Sequence, residues 1–172
     1  MFKKIRKVNF EEFYKVNEQV AKTSPMMTHY HSPNPAERWL WGQKKKKIKS
    51  ILEKLPIKNI IDFGCGDGGM LHVIPSSVVY YGVDISPTQA SYAKKTIKEL
   101  QIKNATVIVG DVLKLNIKDN SYEAALLCDV VEHVLEPKTL LKEAKRIVKN
   151  DGYIIISIPH EFLWLMMRAF LF

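Results

Sequence analysis

From residue 58 onward the chain alternates short, unbroken apolar runs with longer amphipathic stretches. The runs are Lys58–Phe63, Val78–Val83, Thr106–Val109, Ala124–Cys128 and Tyr153–Ile158. Apolar residues at consecutive positions, not alternate ones, are expected of strands buried on both faces, as in a parallel sheet. Helices are expected between them. One follows the first run. Ser86-Pro87-Thr88-Gln89 has the form of a capping box and starts a helix to about Leu100. Another runs from Pro137 to Lys149 and is closed by Asn150-Asp151-Gly152. The alternation predicts an α/β, doubly wound, mostly parallel sheet.

The first third has a different pattern. Phe10, Phe13, Tyr14, Asn17 and Val20 fall at helical spacing in segment 9–22. Residues 23–33 carry Ser24, Pro25, Ser32 and Pro33 and predict a loop. Asn34-Pro35-Ala36-Glu37 offers a cap, a proline for the first helical position and a glutamate that reaches back to the cap. That helix is expected to reach about Leu55, before Pro56. The chain therefore divides into a helical segment, 1–57, placed to act as a lid, and a second region, 58–172.

Charge sharpens this division. The net charge is +8, yet residues 1–58 hold 14 Lys/Arg against 5 Asp/Glu, so the whole excess lies there. Such a segment attracts nucleic acid, anionic lipid or an acidic ligand, or else is a solvated helix face. Lys44 to Lys47 has no interleaved aromatics, although Trp39 and Trp41 precede it. A hydrophobic content of 47% is enough for a core and argues against disorder. Cys65 and Cys128 lack metal-finger spacing and suit a reducing compartment. No run is apolar enough to span a bilayer, and basic Met1–Lys7 leads into no apolar segment, so a cytoplasmic location is expected.

Ligands of such sheets bind at the carboxyl ends of the strands. After the first strand comes Asp62-Phe63-Gly64-Cys65-Gly66-Asp67-Gly68, a turn that lets backbone approach a ligand closely. The second strand ends in Asp84, whose carboxylate suits two ribose hydroxyls. The third ends in Asp111, an acceptor for an adenine amino group. Together they describe an adenosine pocket. A dinucleotide is disfavoured, because Asp67 would set a negative charge beside the pyrophosphate.

The strings D-F-G-C-G-D-G (62–68), Y-G-V-D-I-S (81–86), G-D-V (110–112) and C-D-V-V-E-H-V-L-E-P (128–137) resemble, in order and spacing, the class I S-adenosylmethionine-dependent methyltransferases. The resemblance covers about residues 58–160 and implies a Rossmann-like fold with S-adenosylmethionine as cofactor. It implies that Asp62, Gly64, Cys65 and Gly66 hold the methionine part. Asp84 would bind the ribose and Ile85 would pack on the adenine. Asp111 would bond the adenine amino group, with the Val112 backbone beside the ring. Cys128 and Asp129 would lie near the sulfonium and the reacting methyl group.

Asp129, Glu132 and His133 stand at i, i+3 and i+4, one face of a helix if the segment is helical. Two carboxylates and an imidazole suit a hard cation such as Mg²⁺. The set is similar to a metal-associated motif of ubiquinone-type O-methyltransferases, with Asp129 where Glu is commoner. Alternatively, Glu132 and His133 order the loop before Pro137 through hydrogen bonds. His133 is the first candidate general base, with Tyr30 and His31 second. Glu132 and Asp129 complete the candidate catalytic set.

The resembled domain has seven strands, the last two a hairpin, whereas five runs are found. Either the chain is cut short or its tail pairs with another copy, and the fifth strand is expected to be an exposed edge. The apolar tail carries Trp164, Met166, Met167, Phe170 and Phe172. It is expected to lie on a membrane or to bury in a homodimer. The expected activity is methyl transfer to a small-molecule or lipid-like acceptor at oxygen. RNA methylation through the basic segment and a non-catalytic cofactor-binding module are the alternatives.

Overall fold

The computed structural model describes residues 10–23 and 35–158. Two helices come first, α1 (Phe10–Thr23) and α2 (Pro35–Leu52). The sheet region follows as β1 (Asn59–Phe63), β2 (Val79–Asp84), α3 (Pro87–Glu99), β3 (Ala105–Val109), β4 (Tyr122–Cys128), α4 (Pro137–Ile147) and β5 (Val148–Ser157). Short 3₁₀ turns occupy Gly69–His72 and Val131–His133. The strand order is β3-β2-β1-β4-β5, and every neighbouring pair is parallel. The α/β expectation holds, and the five apolar runs are the five strands.

Alternate residues of the strands supply two cores. Ile60, Tyr80, Val107, Ala124 and Leu126 face one side, with Ile48 and Leu52 of α2 and Ala90 and Ala93 of α3. Ile61, Phe63, Val83, Ala125 and Leu127 face the other, with Leu140, Ala144 and Ile147 of α4. Helices on both faces explain why the strands are apolar throughout.

α2 stops at Leu52, short of Leu55, and two further boundaries and one helix cap differ from expectation. The helix expected after β1 is only the turn Gly69–His72, because a left-handed Gly68 (φ +80°) leads straight into it. α4 stops at Ile147, and β5 starts at Val148, its pairing with β4 shifting register between Tyr122 and Ala124. The α3 capping box is half made. Ser86 Oγ accepts the Gln89 N–H at 3.1 Å, but the Ser86 N–H is taken by Asp84 Oδ1, leaving Gln89 Oε1 buried without a partner among the described residues.

Among the described residues β5 pairs only with β4, and Tyr153, Ile154 and Ile156 are exposed. No helix there is long and apolar enough to cross a membrane. The Tyr30–His31 loop, the Asn34 cap and the apolar tail lie outside the described residues.

Candidate active site

The chain leaves β1 toward β2 and β3 on one side and crosses back to β4 and β5 on the other. At this reversal of strand order a crevice lies at the carboxyl ends of the strands. It is lined by Trp41, Asp62, Gly64, Cys65, Gly66, Asp67, Gly69, Met70, Cys128 and Asp129.

The turn after β1 is built on a left-handed Gly64 (φ +68°), where an added Cβ would lie 2.7 Å from Val130 Cγ2. The Gly64 and Cys65 N–H groups donate to the Val83 carbonyl, so the turn folds across the tip of β2. There Asp84 Oδ2 accepts the Gly66 N–H at 2.8 Å and Oδ1 accepts the Ser86 N–H at 2.8 Å. A carboxylate offers about four acceptor positions. Two therefore remain for hydroxyl donors such as those of a ribose. Burial raises the Asp84 carboxyl above its ordinary value, against the pull of these two N–H groups.

The tip of β3 is joined to β2 by the Gly110 N–H, which donates to the Asp84 carbonyl at 2.8 Å. Asp111 follows, its Oδ1 accepting the Leu113 N–H at 3.0 Å and its Oδ2 3.4 Å from Lys114 Nζ. It shapes a turn at the tip of β3 without being consumed by it, and Ile85 and Val112 are half-buried and, like Asp111, outside the crevice lining.

At the other end Asp62 is buried and accepts a 2.7 Å hydrogen bond from Tyr80 Oη. Burial pushes its carboxyl up to about 7, the Tyr80 bond opposing and the Asp84 charge adding. Burial also pushes the Cys128 thiol up to about 12 and the Cys65 thiol well above its ordinary value. Both cysteines are thus protonated lining groups, not nucleophiles.

Asp129 holds the tip of β4 in a left-handed conformation (φ +54°). Its N–H donates to the Ser157 carbonyl, and its Oδ1 accepts from Ser157 Oγ at 3.3 Å. Its Oδ2 pairs with the Lys44 ammonium, which also lies 4.1 Å from the centre of the Trp41 ring.

This geometry corrects the metal expectation. The helical part of the segment is only Val131–His133, and Asp129 lies outside it with its carboxylate committed to Lys44 and Ser157. Asp129, Glu132 and His133 therefore do not share a helix face. Among the described residues no three His, Cys, Asp or Glu side chains could hold a metal ion, so the Mg²⁺ expectation finds no support. His133 is exposed, while both carboxylate oxygens of Glu132 are buried without a hydrogen-bond partner among the described residues.

The structure thus gathers Asp62, Gly64, Cys65, Gly66, Cys128 and Asp129 around one crevice, places Asp84 against it, and leaves Glu132 and His133 out of its lining. Four residues escaped the sequence reading. Trp41 lines the crevice, Lys44 and Lys45 reach toward Asp129 and Asp67, and Glu18 of α1 accepts hydrogen bonds from Ser86 and Thr88. The helical period of Trp41, Lys44, Lys45, Ile48 and Leu52 was the available signal. Burial brings the Lys45 amine down to about 8, with the Asp67 charge opposing. His72, beside it, is lowered by burial and by the Lys45 charge.

The chemistry fits a cationic nucleoside. Asp62, Asp67 and Asp129 line the space, and Asp84 beside it keeps free acceptor positions. The fold is the Rossmann-like α/β fold of the class I S-adenosylmethionine-dependent methyltransferases. The chain belongs to the methyltransferase-domain family, whose profile matches residues 61–156. It is 29% identical to a ubiquinone biosynthesis O-methyltransferase of Pelagibacter ubique, over 92% of this chain and 67% of that one. It is 31% identical to a tRNA (carboxymethyluridine(34)-5-O)-methyltransferase of Arabidopsis thaliana, over 65% of this chain and 27% of that one. A solved phosphoethanolamine N-methyltransferase of Haemonchus contortus shares the fold, with a TM-score of 0.71 at 18% identity, over 88% of this chain and 33% of that one. The chain spans about a third of the length of several curated relatives it matches.

Proposed function

We propose that this chain binds S-adenosylmethionine in the crevice at the tips of β1, β2 and β4 and transfers its methyl group to the oxygen of a small-molecule or lipid-like acceptor. The observation that carries the reading is the Asp84 carboxylate, held 2.8 Å from the Gly66 N–H beside the crevice with acceptor positions to spare. When bound, the cofactor supplies an electrophilic methyl group, so the protein's work is mainly positioning. Asp84 takes the ribose hydroxyls and Asp111 the adenine amino group. Asp62 and the Gly64–Gly66 backbone take the amino-acid end, and Asp129 faces the positive charge. Exposed His133 accepts the proton of an acceptor hydroxyl. The partly covered Glu132, whose carboxylate has no donor among the described residues, orients that hydroxyl.

Support for oxygen comes from likeness to the ubiquinone biosynthesis O-methyltransferase along most of the chain. The exposed Lys46 and Lys47 of α2 favour RNA as the second acceptor class. The test is transfer of a labelled methyl group to a hydroxylated quinone precursor, a short amine and RNA. Label on the hydroxyl acceptor supports the reading. Label on RNA alone, lost steeply with salt, replaces it, and binding without transfer to any acceptor leaves only a cofactor-binding module.

A further inference from the structure

At the β4 tip a cation of the chain itself meets Asp129, a residue that lines the crevice. Lys44 projects from α2, its ammonium paired with Asp129 Oδ2 and 4.1 Å from the centre of the Trp41 ring. The pair is secluded, with the Asp129 side chain 7% and the Lys44 side chain 21% exposed. An aromatic face and a carboxylate converging on one point form a recognition site for positive charge. Both line the crevice. Asp129 is held in place from behind by Ser157 and by its left-handed backbone, so the carboxylate is fixed and the lysine is the movable member.

We infer that Trp41 and Asp129 form the subsite for the cofactor's sulfonium charge, and that Lys44 is its internal competitor, which lowers the affinity for the charged cofactor relative to the neutral product. This rests on the cofactor reading above. A sulfonium entering the crevice substitutes for the ammonium at Asp129 and the Trp41 face. S-adenosylhomocysteine has no positive sulfur and leaves the lysine in place. Lys44 therefore sets the ratio of cofactor to product affinity and is a specificity-determining residue, not a catalytic one.

Calorimetric titration of the full chain with S-adenosylmethionine and S-adenosylhomocysteine tests this. Lys44→Gln removes the competitor and should shift the affinity ratio roughly tenfold toward the charged ligand, the scale of one unit charge at several ångströms. Lys44→Arg should keep the ratio, and Asp129→Asn should move it the opposite way. Trp41→Leu changes no charge and should weaken the cofactor more than the product, which covers the case of a poorly folding charge variant. Equal shifts for both ligands would make Lys44 a tether of α2 and overturn the inference while sparing the cofactor reading. If the wild-type chain binds neither ligand, both fall.

Discussion

The Tyr80 hydroxyl of β2 donates to Asp62 of β1, and both side chains are 1% exposed. Asp62 is opposite Gly82 in the strand register, two residues beyond Tyr80. The long phenol thus reaches diagonally past a glycine to meet the carboxylate. One hydrogen bond does not offset removal from water, so the carboxyl titrates near 7, well above its ordinary 3.8. Between those values the folded chain binds a proton that the unfolded chain has released. The stabilisation is fully present below pH 3.8 and is lost as pH rises through about 7. Raised Asp84 acts in the same direction. Thermal melts should therefore show a midpoint falling from pH 5 to 8, and Asp62→Asn should flatten the profile. An unchanged slope in that variant would show that the burden lies elsewhere.

Asp84 ties the turn after β1 to the first residues of α3 and offers its remaining lone pairs outward. Asp84→Ala removes both roles. Hydrogen bonds to a charged group contribute about 1.5–3 kcal/mol each, so losing two should weaken S-adenosylhomocysteine roughly a hundredfold or more. Asp84→Asn keeps the shape with one acceptor oxygen and should fall between. Calorimetry at constant salt gives the three affinities, and equal values would remove Asp84 from the site.

Gly68 and Gly42 make a contrasting pair. At Gly68 (φ +80°) an added Cβ would stand 2.7 Å from Leu71 Cδ1 and 3.1 Å from Ala93 Cα. The leucine tip can move, but the α3 backbone cannot. Gly68→Ala should destabilise by about 1–3 kcal/mol. Gly42 is in α2 with nothing within 4 Å of the added atom, so Gly42→Ala should stabilise by about 0.5–1 kcal/mol. Urea unfolding of both variants checks the two signs together.

The strands were legible because both of their faces are buried, which leaves few polar interruptions in runs such as Ala124–Leu127. The start of β5 was not, because Lys149-Asn150-Asp151-Gly152 is polar and looks like a helix end, while the pairing there is irregular. The Asp129–Glu132–His133 spacing suggested a helix face. A left-handed Asp129 broke that inference, since periodicity says nothing about a single residue's φ. The contacts of Lys44 with Asp129 and of Glu18 with Ser86 and Thr88 join residues 68 to 85 positions apart. Local pattern holds no record of such pairs. The motif residues of the crevice were readable because they belong to consecutive strand tips.

Glu132 separates stability from function. Both of its carboxylate oxygens are shielded from solvent and lack a donor among the described residues, a state that folding disfavours. Such groups persist where a function, a bound water or an ion accounts for them. Glu132→Gln removes the charge and keeps the shape, so the unliganded chain should melt a few degrees higher, about the effect of 1 kcal/mol in a domain of this size. Methyl transfer to a hydroxyl acceptor should meanwhile fall roughly tenfold or more, with cofactor affinity unchanged, because Glu132 does not line the crevice. Adding a chelator should alter none of these values. A chelator-sensitive rate would reinstate a metal role for Glu132. A variant that melts lower and also loses cofactor affinity would make the residue a prop for the β4 tip and not a group awaiting its acceptor.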